Sequence, residues 1–409
     1  MSKDQATERN KRQGPLKGLK VLELAHVMAG PTCGRLLADL GADVIKVERP
    51  GGEDSRHMAP PWVGSDSAAY VMMNRNKRNI SIDLKQAGGK RAFLDIAKDC
   101  DVVIENFRKG TLERLGLGFE TLEEVNPGLI LCSISGYGRT GPMAQDGGFD
   151  LMAQAMSGLM SFTGESAERP PVKVGAPVAD IGAGMLACIG VLAALQERTH
   201  SGRGQQVDTS LFEAGIFYTL WQSAIYLAGG GVPEPIGSAH PLDGPYQAFA
   251  TSDGWIVVGA ANQANWLRLT KALRADDLAS DPRFVDNPAR MKNLAELVTI
   301  LNRSFSDKSS KEWLDTLAKH NVPASPILAM DAVAAHEQAK ARDMFVAIDH
   351  HELGAQQTVG LPVKLSRTPG VVTGAPCSKL GQDAAEILRE AGWSDAEINA
   401  AFESHAVPQ

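Results

Sequence analysis

The sequence predicts an α/β fold in which a mostly parallel, doubly wound sheet is covered by helices on both faces. Short apolar runs alternate with segments of helical spacing in the first part of the chain, and this is the pattern of parallel strands joined by helices. The 409 residues, 44% hydrophobic and 22% charged, are enough for more than one globular domain. Glycine and proline become frequent near residue 229, which predicts a second, smaller domain.

Each predicted strand is a short apolar run, and each predicted helix has apolar residues three and four positions apart. The predicted strands of the sheet are 20–24, 43–48, 80–84, 101–107 and 128–138. The predicted helices between them are 32–42, 88–100, 111–116 and 119–127. The apolar run 181–195 predicts a buried core helix, because it is shorter than the ~20 residues that a membrane span requires.

The second half of the chain predicts a different architecture. Residues 246–260 are predicted to form a β-hairpin, since an Asp-Gly pair stands between two apolar strands. Mixed helices, strand-like residues 345–366 and two short helices follow, the last with a capping box of Ser394 and Glu397. The resulting prediction is a large Rossmann-like domain over 15–225, a smaller inserted α+β domain over 226–334 and a return to the large domain over 335–409.

Charge and cysteine content argue against several classes of protein. The net charge of −7 disfavours a nucleic-acid-binding protein, which carries a basic face. The five cysteines are widely spaced without a CxxC pair, so reduced thiols are expected. Residues 1–14 lack the apolar core of a secretory signal and predict a flexible tail. We therefore expect a cytoplasmic protein with no nucleic-acid partner and no membrane segment.

Two common kinds of site are not predicted. A dinucleotide site would place GxGxxG after the first strand, whereas residues 25–31 read AHVMAGP with one glycine. His350 and His351 are predicted to lie in a solvated turn, because no third metal ligand stands at useful spacing. We therefore expect neither a nicotinamide cofactor nor a metal.

A single carboxylate, Asp180, stands in the otherwise apolar or small stretch PVADIGAGM at residues 177–185, directly before the long apolar helix. The simpler interpretation is a helix N-cap, a position that favours Asp. Gly182 and Gly184 weaken it, because glycine in a first turn costs ~1 kcal/mol relative to alanine and indicates close approach to the backbone.

The alternative is that Asp180 is a nucleophile. A carboxylate can attack a thioester carbonyl and form a mixed anhydride. The free N–H groups at a helix start are expected to keep Asp180 ionised and to stabilise an oxyanion. Both interpretations stay open on the residues alone.

Several phrases stand in a fixed order along the chain. They are LKGLKVLELAHVMAGPTCGRLLADLGADVIKVERPGGEDSR (16–56), NRNKRNISIDLK (74–85), DVVIENFRKGTLERLGLG (101–118), SISGYGRTGP (133–142) and PVADIGAGM. Together they resemble the class III CoA-transferases, the formyl-CoA and carnitine CoA-transferase group. The stretch 237–263 is most similar to the dicarboxylate branch, the succinyl-CoA:glutarate type. The resemblance implies a Rossmann-like large domain, a small inserted domain and an interlocked homodimer.

The resemblance also implies an activity. Such an enzyme moves CoA from an acyl-CoA, here succinyl-CoA, to a carboxylic acid. Asp180 matches the residue that carries the acyl group, first as an aspartyl anhydride and then as an aspartyl-CoA thioester. CoA is a substrate, and no prosthetic group is implied.

Two other functions are compatible with the same phrases. The α-methylacyl-CoA racemases resemble them and also have an Asp at position 180, but they use a partner His in a GHD phrase, because deprotonation from either face needs a base on each side. This sequence has Phe149 there, and Phe cannot carry a proton, which favours the transferase. The other alternative is a CoA-binding protein that has lost catalysis, and the intact Asp180 and its neighbouring glycines argue against it.

The CoA site is expected beyond the carboxyl ends of the strands, with arginines that suit bidentate phosphate contact. The residues that the resemblance implies for CoA are Val27, Met28, Ala29, Arg49, Lys77, Arg78, Asn106, Phe107 and Arg114. A lysine that some members bring near Gly147 is absent.

Three further residues are implied to contact the acyl substrates. His26 is implied to line the pocket, and His240 to lie near the far carboxylate of the acceptor. Gly259 begins the stretch 259–266, which matches the mobile glycine-rich loop of the family. That stretch holds one glycine, so a plain strand-to-helix turn is the alternative to a mobile lid.

Overall fold

The computed structural model describes residues 14–372, 374, 376 and 378–408. The predicted flexible tail, apart from Gly14, lies outside the described residues. The chain separates into two compact units. The larger unit combines the chain up to Leu159, Lys173–Ser223 and the chain from Glu337 onward, and the smaller unit combines Met160–Val172 with Ala224–His336. The smaller unit thus includes a stretch before Asp180 that the sequence did not separate from the large domain.

Strands and helices alternate along the described residues. The strands are β1 (Lys20–Glu23), β2 (Asp43–Glu48), β3 (Trp62–Val63), β4 (Asp66–Ser67), β5 (Arg78–Ser81), β6 (Val102–Glu105), β7 (Ile130–Ser135), β8 (Gln206–Ser210), β9 (Tyr246–Ala250), β10 (Trp255–Gly259), β11 (Ala324–Pro326), β12 (Phe345–His350) and β13 (Gly354–Val359). The helices are α1 (Ala29–Asp39), α2 (Ala68–Asn74), α3 (Ala87–Ala97), α4 (Thr111–Arg114), α5 (Phe119–Val125), α6 (Asp150–Met156), α7 (Val178–Ser201), α8 (Leu211–Phe217), α9 (Leu220–Leu227), α10 (Gln263–Ala272), α11 (Asp277–Ser280), α12 (Asn287–Lys292), α13 (Leu294–Phe305), α14 (Ser310–Lys319), α15 (Met330–Ala335), α16 (Glu337–Ala341), α17 (Ala384–Glu390) and α18 (Asp395–Glu403).

A six-stranded parallel sheet forms the centre of the larger unit, in the order β5-β2-β1-β6-β7-β8. This is the strand order of Rossmann folds, in which the order reverses next to β1. The predicted α/β class with a parallel sheet is confirmed. Two details differ: β5 begins two residues before the predicted strand 80–84, and β8 was not predicted.

Side chains of the sheet alternate between two apolar layers. Val21 and Val44 pack in the layer that contains α1 and α7. Leu22 and Ile45 pack in the opposite layer, with α3 and with α17 from the end of the chain. Both faces of the sheet are therefore buried, as in parallel sheets generally.

Helix α7 has 24 residues and extends beyond the predicted run 181–195. By length and composition it is the one helix in the described part of the chain that is able to cross a membrane, with a mean hydropathy of 2.1. It packs instead on α1, β7 and β8 within the larger unit, and its buried face consists largely of alanine and glycine. These small residues allow α1 to approach closely.

The smaller unit holds the antiparallel sheet β11-β10-β9. The predicted hairpin is confirmed, and its turn is closed by a hydrogen bond from the Thr251 N–H to the Gly254 carbonyl (2.9 Å). Phe249, Trp266 and Phe305 are fully buried in the core between this sheet and its helices.

The predicted free thiols agree with the structure where it describes them. Cys33, Cys100, Cys132 and Cys188 are buried and free, and Cys377 lies outside the described residues. The predicted capping box at Ser394 and Glu397 is confirmed at the start of α18.

Candidate active site

A cavity of about 610 Å³ lies at the carboxyl ends of β1, β2, β5 and β6. This is the edge at which open α/β sheets bind ligands, beside the point where the strand order reverses. The predicted residues His26, Arg49 and Phe107 line the cavity. Its wall also includes Lys85, which sequence reasoning did not select.

The loop after β1 is held by a side-chain clamp. The Asn106 side chain accepts a hydrogen bond from the His26 N–H (3.0 Å) and donates one to the His26 carbonyl (2.9 Å). The next residue, Val27, has φ 66°, a left-handed conformation that is strained for a β-branched residue. The Val27 N–H donates to the Glu53 carboxylate (2.8 Å). Asn106 and Glu53 thus fix the backbone of the predicted CoA loop, whose residues Val27, Met28 and Ala29 are not part of the cavity lining.

Buried ion pairs lie beneath this loop. Lys46 contacts the carboxylates of Glu23 (3.0 Å) and Glu53 (3.2 Å). Burial alone would raise the pKa of Glu53, but Lys46 and the Val27 N–H lower it to about 2. Lys77 donates to Glu23 (2.9 Å) and to Asn74 (3.0 Å), and burial lowers its pKa to about 8.

The predicted pair Lys77 and Arg78 does not line the cavity. Arg78 is buried at the start of β5 and pairs with Asp43 (2.5 Å) and Glu390 (2.8 Å). Lys77 directly precedes β5 and Arg78 is its first residue, so both cations lie at the start of this strand, as they also do relative to the predicted strand 80–84, and not beyond its end. The structure therefore favours Lys85, an exposed residue after β5, as the cation at this strand.

Three arginines lie in, or directly beside, segments of the chain that line the cavity. The Arg49 side chain is 68% exposed and forms an ion pair with Asp54. Arg114 donates to the hydroxyl of Thr111, a lining residue (2.9 Å). Arg108 lies against Gly147, with its guanidinium 2.8 Å from the place where a Cβ would stand. Arg108 thus brings a cation to the position at which some family members have a lysine.

Asp180 is the third residue of α7 and not its N-cap. Pro177 occupies the N-cap position and makes no side-chain cap. The cap comes from Asp150, whose carboxylate accepts hydrogen bonds from the N–H groups of Ala179 (2.9 Å) and Asp180 (3.3 Å). The cap interpretation of Asp180 is therefore wrong, because another carboxylate performs that role.

The carboxylate of Asp180 is half-buried, and no hydrogen-bond donor to it is found among the described residues. Burial and the neighbouring Asp150 charge raise its pKa from 3.8 to about 6. The expected cause of ionisation, free N–H groups at the helix start, is not found, because Asp150 accepts the N–H groups of Ala179 and Asp180. The side chain is nevertheless largely ionised near neutral pH and is available as a nucleophile.

The glycines after Asp180 stand in close contact with other parts of the chain. A Cβ on Gly182 would stand 2.6 Å from the Tyr218 hydroxyl, and one on Gly184 would stand 2.6 Å from the Thr32 Cβ and would also contact the Ala29 carbonyl. Gly184 is one turn after Asp180 and lies on the same face of α7. Asp180 is thereby placed toward the start of α1, which follows the CoA loop.

No second proton carrier is found at the racemase position. Phe149 directly precedes Asp150 and is 73% exposed. His26 lines the cavity, and burial followed by the nearby Lys46 lowers its pKa. This environment favours the neutral form of His26.

The two predicted substrate residues of the smaller unit have local partners. Gly259 ends β10 and donates its N–H to the Pro323 carbonyl (2.8 Å), and Asn262 then caps α10. The His240 ring stacks on Tyr246 (5.4 Å between centroids), and its Nδ1 accepts the Asp243 N–H (3.1 Å). The stretch 259–266 thus contains a strand end and a capped helix start.

The expectation for His350 and His351 requires correction. His350 is buried, not solvated, and its Nε2 lies 3.2 Å from Asp66. The His351 Nδ1 lies 3.8 Å from the same carboxylate, so the fold supplies a third potential ligand that sequence spacing did not reveal. Hydrogen bonds from Ser378 to Asp66 and from the Glu352 N–H to the His350 Nδ1 (3.3 Å) tie this cluster together.

Comparison with known proteins supports the resemblance. The family model described as CoA-transferase family III matches residues 16–384. A succinyl-CoA:glutarate CoA-transferase of Homo sapiens is 37% identical over 377 residues, 92% of this chain and 86% of that protein. A succinate–glutarate CoA-transferase of Agrobacterium fabrum is 38% identical over 391 residues, 94% of this chain and 97% of that protein. The crystal structure of a CAIB/BAIF family protein from Brucella suis is 39% identical, with a TM-score of 0.82 over 93% of this chain and 100% of that one.

Proposed function

The chain belongs to CoA-transferase family III, and we propose that it moves CoA from succinyl-CoA to a second carboxylic acid through covalent intermediates on Asp180. The transferase class follows from the family, and CoA is a substrate of such enzymes. The proposed donor and a dicarboxylic acceptor rest on two relatives named for succinyl-CoA or succinate and for glutarate.

The proposal rests on the surroundings of Asp180, a half-buried carboxylate that receives no hydrogen bond from any donor among the described residues. It lies at the start of a helix where Asp150 accepts the N–H groups of Ala179 and Asp180. A structural carboxylate in such a place would itself be hydrogen-bonded or ion-paired. A nucleophile must instead keep its oxygens free for the substrate.

The proposed reaction begins with attack of an Asp180 oxygen on the thioester carbonyl of succinyl-CoA. The C–S bond breaks, leaving a mixed anhydride and the CoA thiolate. The thiolate then attacks the Asp180 acyl carbon, which releases succinate and forms an aspartyl-CoA thioester. The acceptor carboxylate attacks that thioester and expels the thiolate, and the thiolate attacks the acceptor acyl carbon to give the new acyl-CoA and free Asp180.

The cavity of the larger unit supports the CoA part of the proposal. Arg49, Lys85 and Phe107 line it, and Arg108 and Arg114 lie nearby. Cations suit the phosphates of CoA, and an aromatic ring offers a surface on which the adenine can stack. Asn106 contributes by fixing the loop after β1, through its side-chain hydrogen bonds to the backbone of His26.

The transferase and the racemase differ in a directly measurable product. The protein is incubated in D2O with succinyl-CoA, a 2-methylacyl-CoA and a pool of carboxylic acids, and the thioesters are identified by mass spectrometry. We expect new acyl-CoA species that name the acceptor and that disappear in Asp180→Asn. A matched control is Asp146→Asn, which removes the charge of an exposed aspartate.

Two results would contradict the proposal. Deuterium in the 2-methylacyl-CoA without new thioesters would indicate a racemase despite Phe149. CoA binding without either reaction would indicate a catalytically inactive CoA-binding protein.

We further propose that the active form is a cytoplasmic homodimer. Large apolar side chains are exposed on α6, α7 and α8 of a single chain, and these helices pack against one another. They are Leu151, Met152, Met156, Met185, Ile189, Ile216 and Phe217. Exposed apolar surface of this extent is typical of a protein interface, and the interlocked dimer implied by the family supplies a second copy as its occupant. The free buried thiols agree with a reducing compartment.

A further inference from the structure

The first turn of α7 has no N–H group to spare. The Val178 N–H donates to the Ala176 carbonyl (2.8 Å), and the Ile181 N–H to the Pro177 carbonyl (3.1 Å). Asp150 accepts the two N–H groups between them, those of Ala179 and Asp180. A helix start usually leaves such donors for a ligand or for water. Here a carboxylate from another helix takes them.

Gln154 holds this carboxylate in place. It lies one turn after Asp150 in α6 and is fully buried. Its amide donates to the second Asp150 oxygen (2.6 Å), and its amide oxygen accepts the Val174 N–H (2.9 Å). Asp150 and Gln154 together therefore bind both the start of α7 and the segment that leads into it.

We propose that Asp150 is a positioning residue for the transfer reaction, which fixes the backbone of Asp180 and sets the charge environment of its carboxylate, with Gln154 as its support. This inference rests on the proposed role of Asp180 as the nucleophile. Asp150 lies 30 residues before Asp180 in the chain, and it adjoins Phe149, the position that separates the transferase from the racemase.

Asp150 has two electrostatic consequences. Its charge offsets the positive end of the α7 dipole, and its proximity, together with burial, raises the pKa of Asp180. A carboxylate with higher proton affinity is a stronger nucleophile toward a thioester, provided that it is still ionised at the working pH.

Other ionisable groups lie on the elements packed against α7. They are Cys33, Arg35 and Asp39 on α1, Cys132 on β7, Asp208 on β8, Glu213 on α8, Tyr218 directly after α8, and Asp150 on α6. Of these, Asp150 is the one whose charge acts on Asp180 in the described structure. A change at Asp150 is therefore expected to alter the titration of Asp180 more than a change at any other group.

The first test compares Asp150→Asn with the matched control Asp146→Asn. The readout is the pH dependence of isotope exchange between succinyl-CoA and labelled succinate. The wild-type rate is expected to fall as pH drops through about 6, because the nucleophile becomes protonated. In Asp150→Asn this acid limb of the pH profile is expected to move to lower pH, since the neighbouring charge is gone while an oxygen still accepts the N–H groups. Asp146→Asn should leave the limb in place, and an unmoved limb in Asp150→Asn would overturn the proposal.

A second variant guards against a simple packing defect. In Asp150→Asn the new amide would face the Gln154 amide, so the double variant Asp150→Asn/Gln154→Glu restores that hydrogen bond and the acceptor for the Val174 N–H. The proposal predicts that the double variant regains folding stability while its acid limb lies between those of the wild type and Asp150→Asn. The proposal would be contradicted if the acid limb of the pH profile changed in parallel with folding stability across these variants, and not with the charges at positions 150 and 154.

A third measurement needs no substrate, so its result does not depend on which acids the enzyme uses. Urea unfolding near neutral pH is measured for the wild type, for Asp150→Asn, for Asp180→Asn and for the variant that combines these two substitutions. If the Asp150 charge acts on Asp180, the stabilisation gained from Asp180→Asn is smaller in the Asp150→Asn background. If the effects of the two substitutions on the free energy of unfolding are strictly additive, the inference is overturned. If the wild-type protein shows no isotope exchange, only the proposed function is overturned.

Discussion

At the scale of single residues, the half-buried carboxylate of Asp180 lowers the stability of the folded chain whenever it is ionised. Burial and Asp150 raise its pKa from 3.8 to about 6. Between these values the folded state binds more protons than the unfolded state. The contribution of the protonated Asp180 side chain to folding stability is therefore complete below about pH 3.8. This contribution is lost as pH rises through about 6. This cost is typical of functional sites, where a reactive group is kept at the expense of stability.

We predict that Asp180→Asn stabilises the protein at neutral pH while it abolishes transfer. The expected gain in the free energy of unfolding is about 1–3 kcal/mol after allowance for partial exposure of the side chain. Urea unfolding measures it, and the gain should shrink as pH falls below about 6 and disappear below about pH 3.8, where the wild-type residue becomes protonated in both states. A loss of stability at neutral pH would show that Asp180 has a stabilising partner.

The cations near the cavity separate into a structural and a binding class. Lys77→Ala leaves the buried Glu23 with one cation fewer and is expected to cost about 3–5 kcal/mol of unfolding free energy. Arg49→Ala removes an exposed side chain, so stability should change by less than about 0.5 kcal/mol, while the KM for acyl-CoA rises about tenfold. Unfolding curves and steady-state kinetics of both variants distinguish the classes. A normally stable Lys77→Ala protein with a raised KM would reverse this assignment.

At the scale of elements, glycines set how closely α7 approaches its neighbours. Gly184 faces the backbone of α1, whereas Gly182 faces the ring of Tyr218, which is 42% exposed and free to turn away. A packed backbone cannot move aside as easily as an exposed side chain. Alanine is therefore tolerated better at position 182 than at position 184, although both lie in the same helix.

We predict that Gly184→Ala destabilises the protein by about 1–3 kcal/mol, although alanine is the better helix former by ~1 kcal/mol. Gly182→Ala is the matched control, and its loss should be clearly smaller. Urea unfolding of the pair provides the comparison. Equal effects would mean that the contact with Ala29 and Thr32 is not a constraint.

The sequence predicts most of the elements because their patterns are local. Apolar runs identify β1, β2, β6 and β7, which are buried on both faces. By contrast β8 lies at an edge of the sheet, and its polar residues Gln206 and Asp208 give no apolar run. The early start of β5 has a similar cause, because Arg78 and Asn79 are buried polar residues whose partners come from distant parts of the chain.

The candidate site likewise contains some residues that local motifs identify and other contacts that only the fold creates. Asp180, Arg49 and Phe107 are identified from motifs of a few neighbouring residues. The cap by Asp150, the support from Gln154 and the approach of Asp66 to His350 depend on segments brought together by the fold. Spacing along the chain carries no signal for such pairs, so the residues alone offered Asp180 as the candidate cap and gave no indication of Asp150.

At the scale of the whole molecule, the exposed apolar faces of α6, α7 and α8 are the feature that a single chain leaves unexplained. Ile189 is 63% exposed in the middle of α7, only a few turns from Asp180. A core helix of this hydropathy with an uncovered side is expected to pair with another surface. The proposed homodimer would bury it next to the candidate active site.

We predict that the wild-type protein sediments at twice the mass of one chain and that Ile189→Glu shifts it to monomer with loss of activity. Leu353→Glu is the matched control, since Leu353 is 50% exposed in the turn between β12 and β13. Analytical ultracentrifugation compares the three proteins. A wild-type monomer, or a dimer that both substitutions leave intact, would contradict the proposed interface.

The most direct test of the central claim is to trap the covalent intermediate. The protein is mixed with succinyl-CoA without an acceptor, quenched in acid and digested, and the peptide that carries Asp180 is analysed by mass spectrometry. We predict a CoA thioester on Asp180 in the wild type and none in Asp180→Asn. An unmodified Asp180 in a protein that transfers CoA at a normal rate would contradict the account.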